Sequence, residues 1–486
     1  MFAKKRATVY RVRGLPRGCT DQQLLSALRP HLDEDEKEAF QPKISIIPSC
    51  YGDDDTVTAL LKIENAPRFL DELSLDPLQD WQVEVDLPDT DDINFDRHFH
   101  GFTQLYPTPD GQSITVDIIA ITGLGGHAFG SWQGKGNLGR MWLLDFLLKD
   151  LPHCRTMIYG YNSKLQSRGL NTILDYVADF LEQVKRVRCT PEEIQRPLVF
   201  IGHSFGGLIA AQTLVKAKQA DEDENPTISS LYKAIYAMVF FGTPHKGLMI
   251  DDIQSMLGED PSHPRAVLVN EIKQQSQRLS DQLSDFKNLI RDRKIVSFVE
   301  MQQTRRLQKS STGSWTRSGA FITAVDPSAA FLQLPDSLEI KIRVDADHSK
   351  IVKFDSRQDH TYQSALKYLK DFEMNAGLVV NRRFHIAVEN APVLGTSRPV
   401  QPPHKPLLKV ANIKAGLVVN RRFHIAVENA PIPDTSRPVQ PLHTTLSKAA
   451  NIKAGLPIET VSRSGFTVLY EPKNADPLVE SDPLVE

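Results

Sequence analysis

One stretch constrains this chain more than any other: Leu198-Val-Phe-Ile-Gly202-His-Ser204-Phe-Gly206-Gly207-Leu-Ile-Ala-Ala211. Four strand-type apolar residues run into G-x-S-x-G, and a helical pattern follows at once. That context predicts a sharp strand-to-helix turn that lifts the Ser204 hydroxyl to the carboxyl edge of a sheet. Small residues at Gly202 and Gly206 let the two backbones approach. The helix that begins near Phe205 aims free N–H groups and the positive end of its dipole at that edge. A serine so placed is a nucleophile in search of a base.

A second loop supports this reading. The apolar run Ile114–Ile121 ends in Thr122-Gly-Leu124-Gly-Gly-His127. A glycine-rich loop after a strand upstream of the elbow is where such folds place the second oxyanion donor. The backbone N–H groups of Leu124 and Phe205 are the candidates. No G-K-[S/T] follows the glycines, so a phosphate-binding loop is not indicated. In a chain of this type the acid and then the histidine follow the serine. His245 directly follows the strand Met238–Phe241, too early to come after an acid strand, and suits a structural or pocket-wall role. His263 lies between prolines in a loop. His348 follows the last strand-like run and is the candidate base. For the acid, Glu300 ends the strand Ile295–Glu300, and Asp326 after Phe321–Val325 is the alternative. Asp345 and Asp347 sit almost on the histidine itself.

With 486 residues there is length for two or three units. From about 113 to 373, apolar strand-like runs alternate with helical patterns, which predicts a mostly parallel sheet with helices on both faces. Within it, Val267–Ile290 reads as one long helix and Tyr362–Phe372 as the closing one. Residues 1–90 follow the order β-α-β-β-α-β, a small ferredoxin-like α+β domain whose last strand is Trp81–Leu87. That order and Val9–Leu15 resemble an RNA-recognition motif. However, Thr56–Leu61 lacks the stacking aromatics of that family. The net charge of −3 makes no electrostatic case for nucleic acid either. Residues 91–112 read as a polar, proline-containing linker. Residues 374–486 hold a 39-residue repeat, Ala376–Pro392 recurring from Ala415. The last 112 residues carry 13 of the 31 prolines and only 4 of the 37 aromatics, which predicts an extended or disordered tail. The four cysteines are far apart and form no metal-ligand spacing.

Five ordered blocks carry a resemblance: Asp117–Trp132, Arg155–Asn162, Gly202–Gly207, Phe240–Gly247 and Asp347–Ile351. Together they resemble the α/β-hydrolase family of serine-active-site-containing, lipase-like esterases. The same blocks are similar to the N-terminal effector domain of fungal NLR-like (STAND) proteins. The resemblance implies the α/β-hydrolase fold, Ser204 as nucleophile, His348 as base and Glu300 as acid. Where that family has histidine before Gly-Leu-Gly-Gly, this chain has Thr122.

The expected activity is hydrolysis of carboxylic esters, of lipids in particular, through an acyl-enzyme, with no metal or organic cofactor. A non-catalytic signalling module and a serine peptidase are the alternatives. Expected partners are the ester or lipid substrate, a membrane surface in peripheral contact, and a signalling partner on the N-terminal domain or tail, but no nucleic acid. The start of the chain shows no apolar leader, so a cytoplasmic place is expected. The mitochondrial or endoplasmic-reticulum membrane is the alternative that the resemblance implies.

Overall fold

The computed structural model describes residues 7–389, apart from 53–54, 110, 165–166, 250–261 and 310–314. Residues 390–486 lie outside the described residues. With them go the second copy of the repeat and most of the expected tail.

The N-terminal sheet is antiparallel and has five strands, in the order β2-β3-β1-β5-β4. Its strands are β1 (Thr8–Pro16), β2 (Lys43–Pro48), β3 (Thr56–Ile63), β4 (Asp80–Leu87) and β5 (Thr90–Asp96). The helices Asp21–Leu28 and Asp71–Leu75 accompany it. Thr20 starts the first in a capping box, its hydroxyl accepting from the Gln23 N–H while the Gln23 side chain accepts from the Thr20 N–H. Alternation divides the strands. Tyr10, Val12, Leu61 and Phe95 pack with Leu24 and Leu28 in a small core. Val9 and Leu60 face the other way and join the core of the larger sheet. On that side Arg11 donates to Asp96 (2.7 Å), the Thr103 hydroxyl (2.7 Å) and the His100 carbonyl (2.8 Å). The sheet face on which an RNA-recognition motif stacks bases is therefore covered by protein.

The expected linker is a correction. Within 91–112 the chain forms β5 and then β6 (Gly101–Gln104). β5, not the Trp81–Leu87 strand, pairs with β1, in the register Arg11↔Asp96, and β4 folds back on its outer edge. β6 leaves the first sheet and joins the second. Thr-Asp-Asp at 90–92 looks like loop, yet Ile93 and Phe95 are buried, and Asp96 is neutralised by Arg11.

The large sheet has seven strands, ordered β14-β11-β10-β9-β7-β8-β6. It comprises β7 (Val116–Ile121), β8 (Cys154–Gly160), β9 (Leu198–His203), β10 (Ile235–Phe241), β11 (Lys294–Glu300), β14 (Glu339–Val344) and β6. All pairs are parallel except β6 with β8. A separate hairpin, β12 (Thr304–Lys309) and β13 (Trp315–Ile322), follows β11. β7, β8 and β10 are buried at every position, because both sheet faces are covered. One core packs the helices Ile173–Val187 and Phe205–Gln219; the other packs Trp132, Trp142, Tyr362 and Phe372.

Two helix readings also need correction. The expected single helix Val267–Ile290 is two, Ala266–Ile272 and Gln277–Leu289. Gln275 breaks it at φ 61°, and Ser276 caps the second piece, accepting from the Leu279 N–H. The closing helix runs His360–Glu389, well past the expected domain end at 373. Ala376 and Val380 are buried against the core of the larger sheet, so the described part of the first copy of the repeat, 376–389, is a docked helix rather than loose tail.

Candidate active site

Ser204 sits between β9 and the helix Phe205–Gln219 at φ 52° and ψ −123°. A side chain other than glycine is rarely held there, and such strain persists only where the surroundings over-determine it. Here they do. The Ser204 N–H donates to the Phe241 carbonyl at 2.9 Å, tying the turn to the end of β10. A Cβ on Gly202 would lie 2.5 Å from the Gly207 Cα, and one on Gly206 would overlap the Ile121 carbonyl. Both outer glycines of the motif are therefore required by the close crossing of strand, helix and β7, beyond any demand of the turn itself.

Ser204 and His348 line one cleft of about 370 Å³, together with the Gly123–Gly126 loop, Ser131, His203 and Lys353. His348 Nδ1 lies 2.8 Å from Glu300 Oε1. The carboxylate can only accept, so Nδ1 carries the proton and Nε2 is left as the basic nitrogen. Glu300 is buried at the end of β11. Gly242, at φ +53°, makes room for the pair, since a Cβ there would stand 2.6 Å from Glu300 Oε2 and 3.0 Å from His348 Nδ1. Asp326, the alternative acid, is occupied elsewhere. It caps the short helix Pro327–Ala330, accepting from the Ser328 N–H at 2.8 Å. Asp345 accepts from Gln302, and Asp347 from Ser349.

Three residues that carried no sequence signal hold the histidine loop. The Thr304 hydroxyl accepts the His348 N–H at 2.9 Å. His203 Nε2 donates to the His348 carbonyl at 3.0 Å, so the residue before the serine also secures the histidine loop. Lys353 donates to the carbonyls of Gly130 (3.0 Å) and Ser131 (2.8 Å), joining the segment after His348 to the glycine-rich loop. Each contact is long-range, which is why no spacing rule finds it. His245 is not in the cleft. It is buried against Phe240 and Phe286, and burial pushes its pKa down to about 3. Phe129, Trp132 and Phe241 are core residues.

The glycine-rich loop is braced around Thr122. Its hydroxyl donates to Ser131 Oγ at 2.7 Å, and that oxygen in turn accepts the His127 N–H at 3.0 Å. The Gly125 N–H donates to the Ser163 carbonyl at 2.7 Å and Ser163 Oγ to the Gly126 carbonyl at 2.6 Å. Gly125 and Gly126 are thus tied down, while the Leu124 N–H has no acceptor among the described residues. The Phe205 N–H, in the first helical turn, is free by position. Thr122 therefore contributes a hydroxyl tether where the resembling family has a histidine. Thr122→Val, close to isosteric, should lower ester turnover about 3–10-fold and stability by about 1 kcal/mol. Steady-state kinetics beside a denaturant midpoint would check this; unchanged turnover would show that the tether does not hold the loop.

The described residues contain one group with metal-ligand spacing, Asp80, Asp96 and His98. It lies in the N-terminal sheet, where Arg13 already pairs with both carboxylates. His98 Nδ1 accepts from the His100 N–H at 2.8 Å. A cation would have to displace these partners.

No family model matches the chain. It is 25% identical to zebrafish protein SERAC1 over 286 residues, covering 54% of this chain and 39% of that protein. It is 24% identical to human SERAC1 over 284 residues, with the same coverage. The chain thus spans about two fifths of the length of these curated relatives. Solved structures with some likeness include a Bacillus licheniformis lipase (14% identity, 55% of this chain and 97% of that one, TM-score 0.36). A Legionella pneumophila phospholipase, PlaB, is another (12% identity, 57% and 63%, TM-score 0.37). The fold itself is read from the molecule: a mostly parallel sheet with one antiparallel edge strand, helices on both faces, and a strained serine where β9 turns into its helix. That combination is the α/β-hydrolase fold.

Proposed function

We propose that the chain is a serine hydrolase of carboxylic esters, with lipid esters as the class implied by its motif blocks. One observation carries the reading. A strained Ser204 shares a cleft with His348, whose far ring nitrogen is held by Glu300 at 2.8 Å. In this reading His348 Nε2 takes the hydroxyl proton as Ser204 Oγ attacks the ester carbonyl. The N–H groups of Leu124 and Phe205 receive the oxyanion, each donor being worth roughly 3–4 kcal/mol in such sites. His348 then returns the proton to the leaving alcohol, the acyl-enzyme remains, and water repeats the sequence in reverse roles. Glu300 keeps the imidazole in the right tautomer and stabilises its charge.

A fluorophosphonate probe should label the wild-type protein at Ser204 and leave Ser204→Ala unlabelled. p-Nitrophenyl esters of increasing acyl length, long-chain glycerolipid esters and peptides would then define the substrate class. Folded wild type that takes no label would replace this reading with a non-catalytic binding module. Turnover of peptides in preference to esters would make it a peptidase. A cytoplasmic place, peripheral membrane contact and a signalling partner remain proposals of the same reading.

A further inference from the structure

The link between β5 and β6, residues 96–101, carries the chain from the N-terminal sheet to the large one. It holds a bulky residue in a conformation that needs support. Phe99 is fully buried and sits at φ 56°, where a non-glycine residue is rare. Its N–H donates to Asp96 Oδ1 at 2.8 Å. The Arg11 guanidinium, which pairs with the same carboxylate, lies 5.5 Å from the centre of its ring. Gly160 at the end of β8 leaves room for the link, since a Cβ there would stand 1.9 Å from the Phe99 carbonyl oxygen. Strain of this kind persists only where the surroundings over-determine it, and it clusters at functional sites. Here the strained ring meets the far end of the glycine-rich loop. It stacks on Phe129 at 5.4 Å and stands edge-on to His127 at 5.7 Å.

His127 lines the Ser204 cleft and spends both ring nitrogens on backbone groups. Nε2 lies 2.5 Å from the Arg97 carbonyl, which can only accept, so Nε2 carries the proton. Nδ1 is left to accept the N–H groups of Gly130 (2.9 Å) and Phe129 (3.2 Å). One imidazole thus joins the link between the two sheets to the turn at 129–130. Lys353 also holds that turn, through the carbonyls of Gly130 and Ser131. We propose that His127 is a positioning residue: with Phe99 it straps the loop bearing the Leu124 N–H to the N-terminal sheet, which makes that sheet part of the catalytic unit. The proposal rests on the hydrolase reading above. It gives the N-terminal domain a role in stabilising the transition state, separate from any partner it binds. Charge develops on the oxyanion only in the transition state, so a loosened loop lowers kcat and leaves KM largely alone.

The test uses the full chain with His127→Asn and Phe99→Leu, singly and together. In His127→Asn the amide oxygen can still accept from the Gly130 N–H, but the shorter side chain does not reach the Arg97 carbonyl. The turn is kept and the strap is lost. Turnover of a p-nitrophenyl ester is normalised to the sites that a fluorophosphonate titrates. His127→Asn should lower kcat about tenfold and change KM less than about twofold, at a melting temperature close to wild type. Deuterium uptake at 123–131 should rise. Phe99→Leu should act in the same direction, and the double variant should be about as slow as the slower single one, since both changes break one strap. If Phe99→Leu does not fold, His127→Asn alone decides. A labelled wild type whose kcat per titrated site is unchanged in His127→Asn would overturn the proposal, because a merely structural role lowers the number of sites and not their rate. Unchanged deuterium uptake would overturn it too, whatever the activity. Folded wild type that takes no label would instead remove the hydrolase reading, and this catalytic role with it.

Discussion

Replacing Ser204 by alanine should leave the fold intact and reduce ester turnover by roughly 10⁴–10⁶-fold. The size follows from the geometry. The elbow spends backbone strain at φ 52° to present one hydroxyl, and β9, β10 and the helix after it hold that turn with backbone contacts alanine keeps. Only the nucleophile is removed. His348→Ala should cost about as much, because it removes the nitrogen that takes the hydroxyl proton in the proposed reaction. Glu300→Gln should cost about 10³–10⁴-fold, since an amide can donate to Nδ1 and invert the tautomer. The double variant Ser204→Ala/His348→Ala should be no slower than the slower single one, because groups acting as a unit are not additive. Rates for these variants, each checked by circular dichroism, decide the matter. A Ser204→Ala chain with more than a tenth of wild-type turnover would remove the serine from the reaction.

A second large effect is expected far from the cleft. Asp117 enters β7 fully buried and is gripped by Arg155 through two 2.8 Å bonds, by Arg188, and by Arg196 at 3.2 Å. Arg155 also reaches Glu193 at 2.7 Å. Burial by itself would push the Asp117 carboxyl up, but Arg155 and Arg188 outweigh it and hold its pKa at about 2. Asp117→Asn leaves three buried guanidiniums around a neutral group and should destabilise the chain by about 3–5 kcal/mol. Any kcat lost should be small in the folded fraction, because the site is built at the other end of β7. The sign with pH follows from the depressed pKa. The contribution is fully present above the ordinary aspartate pKa of about 3.9 and is lost as pH falls through about 2. Urea midpoints between pH 2 and 5 should therefore fall more steeply for wild type than for Asp117→Asn. Parallel profiles would show that the network does not couple to folding.

What could be read in the chain and what could not separates by range. The elbow is local: an apolar strand, a glycine, the serine and a helix are consecutive, so the pattern and the structure at 198–219 are nearly the same statement. Glu300 was legible as a strand end in chain order, and the competing Asp326 was undone only by its capping bond to Ser328. The strand Thr90–Asp96 was hidden because its buried acid, Asp96, is tolerable only once Arg11 lies beside it. The docked repeat was hidden for a similar reason. Gly377 and the β-branched Val379-Val380 discourage a helix in isolation, and burial against the hydrolase core overrides them.

The sequence by itself determined the covalent possibilities: a serine on a strand-to-helix turn, a glycine-rich loop behind it, a late histidine, and a repeated segment. Tertiary structure decided which groups meet. Glu300 reaches His348 across 48 positions, and Thr304, His203 and Lys353 fix the histidine loop from three separate elements. Asp117 collects three arginines from later in the chain. Backbone propensity and spacing act over a few residues. The pairing of buried charges and donors depends on which strands lie side by side, and strand order is settled only when the whole sheet has assembled.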